Sequence, residues 1–356
     1  KKIKLLFILY IYLIFNSLIA LEFSNSAYRN FGFIRFIFLF AAFNYFFFKF
    51  ENFKKILIVW LVTLSVVIFD IYFEVYTGKN ILNYGHDDRI FSFFKDEPIV
   101  GGFVGNLYLL CIGFLFNLLA DNNDKKKFIF LFISILFISS IIFTGERSNT
   151  IKSLIGISIF YLFLPNFSIK QKISSILLIF LIFFIFFINS DFLKMRYIGQ
   201  TLVHFKSKEN LTNFYEKGIY PTLYRSGIEV FKRNLFFGVG NKNYRVETCT
   251  EDRHQDVYTC NTHPHQVYFE LLSEHGLIGS IIILSIFFKL IYDLLMKISL
   301  TRNKLQFAAF ISILAVFLPI LPGGSFFSDY ALTLFFINFS LLFCTNKSSN
   351  LFYKNL

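Results

Sequence analysis

Apolar runs of membrane-crossing length recur along this chain, and they constrain its fold more than any motif does. A helical crossing needs about 20 mostly apolar residues. Runs near that length lie at 3–21, 31–50, 55–75, 99–120, 127–144, 150–165, 172–189, 275–296, 305–322 and 329–345. They predict an all-α integral membrane protein with about ten or more transmembrane helices. A soluble domain of 356 residues that is 55% hydrophobic, with a mean hydropathy of +0.59, would have nowhere to bury so much apolar surface. The 54 Phe against one Trp fit an AT-rich coding bias, so the Phe excess is read as filling for membrane helices.

The chain opens on Lys1 rather than Met, as a fragment or a processed chain would. Lys1-Lys2-Ile3-Lys4 followed by an apolar run to Leu21 has the outline of a signal peptide. The run is long for one, no small-residue cleavage site is clear, and further spans follow. A first transmembrane helix is the expectation.

The net charge of +12 would suggest a nucleic-acid partner in a soluble protein. Here Lys and Arg flank the apolar runs, where they set topology, and no nucleic acid is expected. With the N-terminus inside, alternate connections carry Lys49, Lys54 and Lys55, then Lys125 to Lys127, then Lys170 and Lys172. Lys297, Arg302 and Lys304 come next, and Lys347 and Lys354 last. The opposite short connections at 22–30, 145–149 and 322–329 hold few. That alternation follows the positive-inside rule. It sends two polar stretches, 76–98 and the long loop 190–265, to the periplasmic face of a bacterial inner membrane. The expected organisation is N-terminal transmembrane helices over 1–189, the periplasmic loop over 190–265, and C-terminal transmembrane helices over 266–356.

Cys111 and Cys344 fall inside apolar spans and read as small core residues. Cys249 and Cys260 lie in the long outer loop, where an oxidising compartment favours a local disulfide. A zinc site built from Cys249, Cys260, His263 and His265 is the competing arrangement, but its spacing matches no common structural zinc pattern. Within the loop, Leu223, Ile228, Val230 and Phe231 suggest a short amphipathic surface helix over 222–231. It ends before the glycine turn Gly238-Val239-Gly240-Asn241.

Several blocks in order carry a family resemblance. Arg225-Ser226-Gly227-Ile228-Glu229-Val230-Phe231 precedes Phe237-Gly238-Val239-Gly240-Asn241. Thr262-His263-Pro264-His265-Gln266-Val267-Tyr268-Phe269-Glu270 and Glu274-His275-Gly276-Leu277-Ile278-Gly279 follow. Together they resemble the signature of the O-antigen ligase/polymerase superfamily: an Arg-bearing helix, a Gly-x-Gly turn, a His-Asn-x-Tyr-Leu motif and a Glu-x-Gly-Leu-Ile-Gly helix start. Thr144-Gly145-Glu146-Arg147-Ser148-Asn149 resembles the family's small-residue-plus-Arg motif. Arg89 and the segment Phe91 to Gly101, with Glu97, resemble an outer-loop segment of bacterial members. The resemblance covers most of 57–279. Gln266 departs from it, standing where the family has Asn.

The resemblance implies a GT-C-like membrane glycosyltransferase that uses a polyprenyl-diphosphate-linked glycan as donor. Elementary chemistry makes the same residues sensible. Breaking the glycosidic bond leaves charge on a lipid diphosphate, which must be neutralised. Arginine's planar fork grips phosphate oxygens, so Arg147 and Arg225 are the candidate diphosphate ligands. The attacking hydroxyl must lose a proton, and histidine is a natural base. His265 aligns with the family histidine, and His263 is the nearby substitute. Arg89 and Glu97, with Asp96, are candidate glycan contacts. Gly238, Gly240, Glu274 and Gly276 read as architectural. The plainer readings are a snorkelling Arg225, histidines that only cap a helix, and a solvated 89–97 loop. His86, His204, His254 and His275 read as surface residues.

The chain has no Walker loop and no Asp-x-Asp pair for a catalytic metal, so a metal-independent enzyme without a cofactor is expected. Asp70 and Glu74 are the one carboxylate pair within a span, which gives a secondary transporter little to work with. The acceptor is lipid A–core oligosaccharide for a ligase, the favoured reading, or a lipid-linked glycan for a polymerase. A transporter or flippase of lipid-linked glycan is the alternative of another class.

Overall fold

The structure, a computed structural model, describes residues 2–49, 53–85, 89–95, 97, 99–119, 124–165, 167–199, 218–250, 258–301 and 303–353. All regular structure among them is helical. In chain order the helices are α1 (Lys2–Leu18), α2 (Phe23–Gly32), α3 (Ile34–Lys49), α4 (Phe53–Thr77), α5 (Val100–Leu119), α6 (Asp124–Phe143), α7 (Arg147–Leu162) and α8 (Ile169–Asn189). The short α9 (Asp191–Lys194) runs into a π-helical turn at Met195–Gly199. Then come α10 (Ile219–Arg233), α11 (Tyr244–Cys249), α12 (Val267–Thr301), α13 (Lys304–Val316) and α14 (Asp329–Cys344).

Six stretches are long and apolar enough to cross a membrane: Phe23–Phe47, Lys54–Thr77, Val100–Leu119, Asp124–Phe143, Ile169–Asn189 and Val267–Leu295. The remaining expected spans fall on α1, α7, α13 and α14, which have 17, 16, 13 and 16 residues. At about 1.5 Å per residue these reach about 20–26 Å, short of a hydrocarbon core of about 30 Å. By length and composition, six of the expected ten or so are therefore supported among the described residues. The chain is nonetheless a multi-pass membrane protein in its surface chemistry. Helix α8 leaves Leu177, Leu181 and Phe184 more than half exposed, an apolar face whose natural solvent is lipid.

Two compact units divide the chain. The first comprises Lys1–Tyr45, His204–Leu300 and Val316–Ser340. Its core is aromatic: Phe287 meets Phe335 at 5.2 Å and Phe339 at 5.9 Å, and Phe36 stacks on Phe336 at 5.2 Å. Edge-to-face and offset geometry adds to the burial each ring contributes. The second unit comprises Phe46–Val203, Thr301–Ala315 and Leu341–Leu356. It is built around buried residues of α4 to α8 and α13, among them Ile71, Val104, Ile141, Ile157 and Ala308. Helix starts follow local chemistry. Ser168 and Gln171 form a reciprocal capping box at α8 (3.3 and 3.0 Å). The Gln266 side-chain carbonyl accepts the amides of Tyr268 (2.7 Å) and Phe269 (3.2 Å) at the start of α12.

Inside the second unit, Asp70 and Glu74 hold the chain that follows α4. Asp70 accepts Ile81 N–H (2.8 Å) and Ser92 O–H (2.6 Å), while Glu74 accepts Ser92 N–H (2.6 Å) and Phe91 N–H (3.2 Å). The carboxylate pair that stood out inside a span thus anchors the 80–92 loop.

Candidate functional site

The first unit gathers the motifs of the long loop around one nested joint. Helix α12 is broken at Gly276, which takes φ 64° and ψ −169°. Opposite it, Gly238 takes φ 69°. A β-carbon on Gly238 would strike the backbone of Ser273 to His275, and one on Gly276 would strike the backbone of Phe236 and Phe237. Each glycine thus makes room for the other's chain, as well as supplying a left-handed φ. Backbone bonds seal the joint: Val239 N–H to Ser273 O (3.0 Å), Gly240 N–H to Glu274 O (2.9 Å), and Leu277 N–H to Leu235 O (2.8 Å). Asn16 and Asn30 of α1 and α2 close the far side by bonding Asn241.

Glu274 is fully buried beside this joint. The backbone amides of Lys242 and Tyr244 and the Lys242 ammonium face its carboxylate, beyond strict hydrogen-bond geometry. His275, expected at the surface, is fully buried. It lies between Tyr12, whose hydroxyl is 3.4 Å from Nδ1, and the Phe327 ring at 4.9 Å. The break at Gly276 turns it inward. His86, His204, His254 and Asp96 lie outside the described residues.

The expected surface helix is α10, longer than 222–231 and amphipathic. It buries Leu223, Ser226, Gly227 and Val230, the i, i+3, i+4, i+7 pattern of one face. Gly227 admits Pro264 and Phe269 at close range, so α10 seats the His-Pro-His motif. Arg225 is exposed, about 200° round the helix from Gly227 at ~100° per residue. Cys249 and Cys260 are joined in a disulfide, with Cα atoms 4.6 Å apart. That removes both thiols from any zinc site, and among the described residues no group of three His, Cys, Asp or Glu is placed to hold a metal. Thr259 N–H bonds Ser226 Oγ (3.1 Å), tying the bridged loop to α10.

His263 and His265 lie together, ring centroids 4.0 Å apart. His265 carries φ 56°, a left-handed conformation uncommon outside glycine. It turns the chain so that Gly323 N–H reaches His265 O (2.8 Å). The Gly323 carbonyl faces both rings and lies 3.4 Å from His263 Nε2. A carbonyl only accepts, so Nε2 carries the proton and Nδ1 accepts from Thr262 Oγ at 2.9 Å. Burial is the main cause that pushes His263 down to about 4, against the pull of Glu270. His265 is also lowered by burial, with the Gly323 carbonyl and Glu270 opposing. Both rings are thereby kept neutral at pH 7.

Below the histidines lies a group that sequence reasoning missed. Glu270 is fully buried. Its carboxylate accepts Ser325 Oγ–H (2.6 Å), Phe326 N–H (2.8 Å) and, more loosely, Phe327 N–H (3.5 Å). Lys242 donates to the same Ser325 hydroxyl. Tyr224 O–H bonds Ile320 O at 2.9 Å, where Ile320 itself has φ 70°. The 319–328 connection, which overlaps the short connection expected at 322–329, is thus one wall of the histidine site. The signals were faint: a lysine directly after the glycine turn, and a glutamate within the quoted histidine block.

The second unit holds the other candidates. Arg147 is the first residue of α7 and half-buried. Its neighbour Glu146 accepts Gly101 N–H (2.6 Å), Gly102 N–H (3.1 Å) and Asn149 Nδ2–H (2.5 Å). It therefore closes the N-terminus of α5, where backbone amides favour a negative group. Burial nevertheless pushes Glu146 up to about 7, opposed by Asn149, the two amides and Arg89. Arg89 is half-buried on the Glu146 side, and Glu97 is exposed. Tyr197 bonds Thr150 (2.7 Å) and feels both Arg196 and Arg147.

Residues 132–284 match the model of the O-antigen ligase family. Arg147, Arg225, both glycine-turn residues, His263, His265, Glu274 and Gly276 lie within the match; Arg89 and Glu97 lie outside it. The match supports the O-antigen ligase/polymerase superfamily. No curated protein sequence matches the chain.

Proposed function

We propose that this chain, a member of the O-antigen ligase/polymerase superfamily, is a membrane glycosyltransferase that moves a glycan from a polyprenyl diphosphate to an acceptor hydroxyl. The carrying observation is the neutral His263–His265 pair within the segment that matches the family. The acceptor oxygen attacks the anomeric carbon as its proton passes to His265. The bond from that carbon to the diphosphate breaks, and the electron pair stays on the diphosphate. Both His263 nitrogens already have partners, which favours His265 as the base. The charge on the departing diphosphate is met by arginine, for which Arg225 in the first unit and Arg147 in the second are each candidates, and the reaction is metal-independent. Arg89 and Glu97 contact the glycan.

The site faces the periplasm from the inner membrane. The 76–98 and 190–265 stretches lie on that side, between transmembrane parts 1–189 and 266–356. The favoured acceptor is lipid A–core, making the enzyme an O-antigen ligase of lipopolysaccharide biosynthesis. Asp70 and Glu74 are engaged by Ile81, Phe91 and Ser92 of the loop that follows α4, which weighs against their serving a flippase as an ion path.

The test is surface-glycan profiling of a deletion strain complemented with wild type, His265→Ala, Arg225→Ala or Arg147→Ala, with membrane levels checked. The reading expects normal insertion and loss of long surface glycan. Full-length polymer stranded on lipid identifies a ligase, and single-repeat precursor a polymerase. Wild-type glycan from all three variants would sink the assignment.

A further inference from the structure

Among the described residues of the first unit, Glu270 is the buried carboxylate that collects several donors from a single connection. Its partners, Ser325 Oγ and Phe326 N–H, lie two and three residues beyond Gly323. Gly323 in turn bonds the His265 carbonyl through its amide and faces both imidazoles with its own carbonyl. The path from carboxylate to histidine therefore runs through hydrogen bonds at both ends and three residues of one loop between them. That loop carries a left-handed isoleucine at Ile320, as the motif opposite carries a left-handed His265. Two strained non-glycine residues need a surrounding structure that holds them. Glu270 and Tyr224 are the groups that do so from the two ends.

We propose that Glu270 is a positioning residue for the transfer reaction: its carboxylate seats the 319–328 connection, and through the Gly323 carbonyl fixes the orientation of the histidine pair. This rests on the reading of His265 as the base. The arrangement also has an electrostatic side. When His265 takes the acceptor's proton it becomes a cation, and Glu270 is the negative charge that bears on it. His263 and the Tyr220 ring, 6.1 Å away, line the remaining sides. Lys242 counters the Glu270 charge through Ser325 and bears on His263. A carboxylate held only for packing would fix the loop without this second effect, so the two roles separate in a pH profile.

The experiment measures turnover against pH for full-length protein in detergent. Its substrates are polyprenyl-diphosphate-linked glycan and lipid A–core extracted from the producing strain's membranes. Glu270→Gln keeps shape and one acceptor oxygen but removes the charge. Turnover should fall about tenfold, as expected when a charge-assisted contact is weakened, with KM for the donor nearly unchanged. The acid limb of the profile should move to lower pH, because the histidine loses the charge that favours its protonation. Lys242→Met removes the opposing charge and should move the limb to higher pH. It also serves as the deciding variant if Glu270→Gln fails to accumulate. A fall in turnover with an unmoved limb, or no fall at all, would overturn the positioning role. His265→Ala is run beside them. Full activity there rejects the base assignment itself, a result distinct from any shift caused by Glu270 or Lys242.

Discussion

The two units each hold buried titratable groups, but burial acts on them with opposite sign. In the first unit it suppresses a cation: His263 and His265 are pushed down and remain neutral imidazoles. In the second it suppresses an anion: Glu146 is pushed up to about 7 despite three donors and a nearby Arg89. Burial thus leaves unprotonated imidazoles in one unit and a carboxyl that keeps its proton to near neutrality in the other. The supports differ as well. The histidines sit on strained backbone walled by a loop, whereas Glu146 closes the first turn of a regular helix. Geometry that costs conformational energy is spent at the histidines, which supports the proposal that the base acts in the first unit.

Substitutions that treat the two groups alike should break or sharpen that contrast. His265→Ala should lower turnover by about 10²–10⁴-fold, the range for losing a general base. Glu146→Gln should change it only a few-fold, because the amide still accepts from a helix terminus and loses about 1 kcal/mol. Equal losses in assays of both variants would erase the distinction.

Next in size is the glycine joint. Alanine at Gly276 or Gly238 must adopt a left-handed φ, at about 1–2 kcal/mol, and also displace the facing backbone. Both variants should lose folded protein, read as detergent thermal stability or membrane level. Gly145→Ala in the second unit, at φ 73°, meets only the Phe192 and Arg196 side chains at 3.1 and 3.3 Å, so its loss should be smaller. Opening the Cys249–Cys260 bridge, a separation of 11 residues, should cost about 2–3 kcal/mol through loop entropy. The loss should appear as faster proteolysis of the 244–260 segment with little change around Glu146.

Much of this was legible in the sequence for identifiable reasons. Apolar runs give helices, and of Leu223, Ile228, Val230 and Phe231, the apolar residues that suggest the surface helix, Leu223 and Val230 lie on the buried face of α10, which Ser226 and Gly227 complete. The Gly-x-Gly turn and the glycine of the Glu-x-Gly block are visible one at a time. Their mutual fit is not, because it depends on two chains approaching at Phe236 and His275. The amide at Gln266 acts as a helix cap, a role that its residue type alone does not reveal. Hydropathy could not say that α1, α7, α13 and α14 stop short, since helix ends are set by local backbone geometry. Glu270, Ser325 and Lys242 escaped because nothing in spacing alone joins a glutamate to a serine 55 residues later. His275 misled because a histidine in a polar block reads as exposed until the Gly276 break turns it inward.

The subtlest prediction uses the opposite signs directly. His263 titrates near 4 when folded, against an ordinary value of 6.5. Between those values the unfolded chain binds a proton that the folded chain does not. Stability in that region should therefore rise with pH up to 6.5 and then level off. Glu146 titrates near 7 when folded, against 4.5. There the folded chain holds a proton that the unfolded chain has released, so stability should fall with rising pH up to about 7. Hydrogen exchange between pH 5 and 6.5, corrected for intrinsic rates, can follow the two regions in one sample. Protection over 258–270 should increase while protection over 144–154 decreases. His263→Gln should flatten the first trend alone, and Glu146→Gln the second alone. Parallel trends in both regions would mean that a single global transition governs the protein, and that burial does not set the two groups apart.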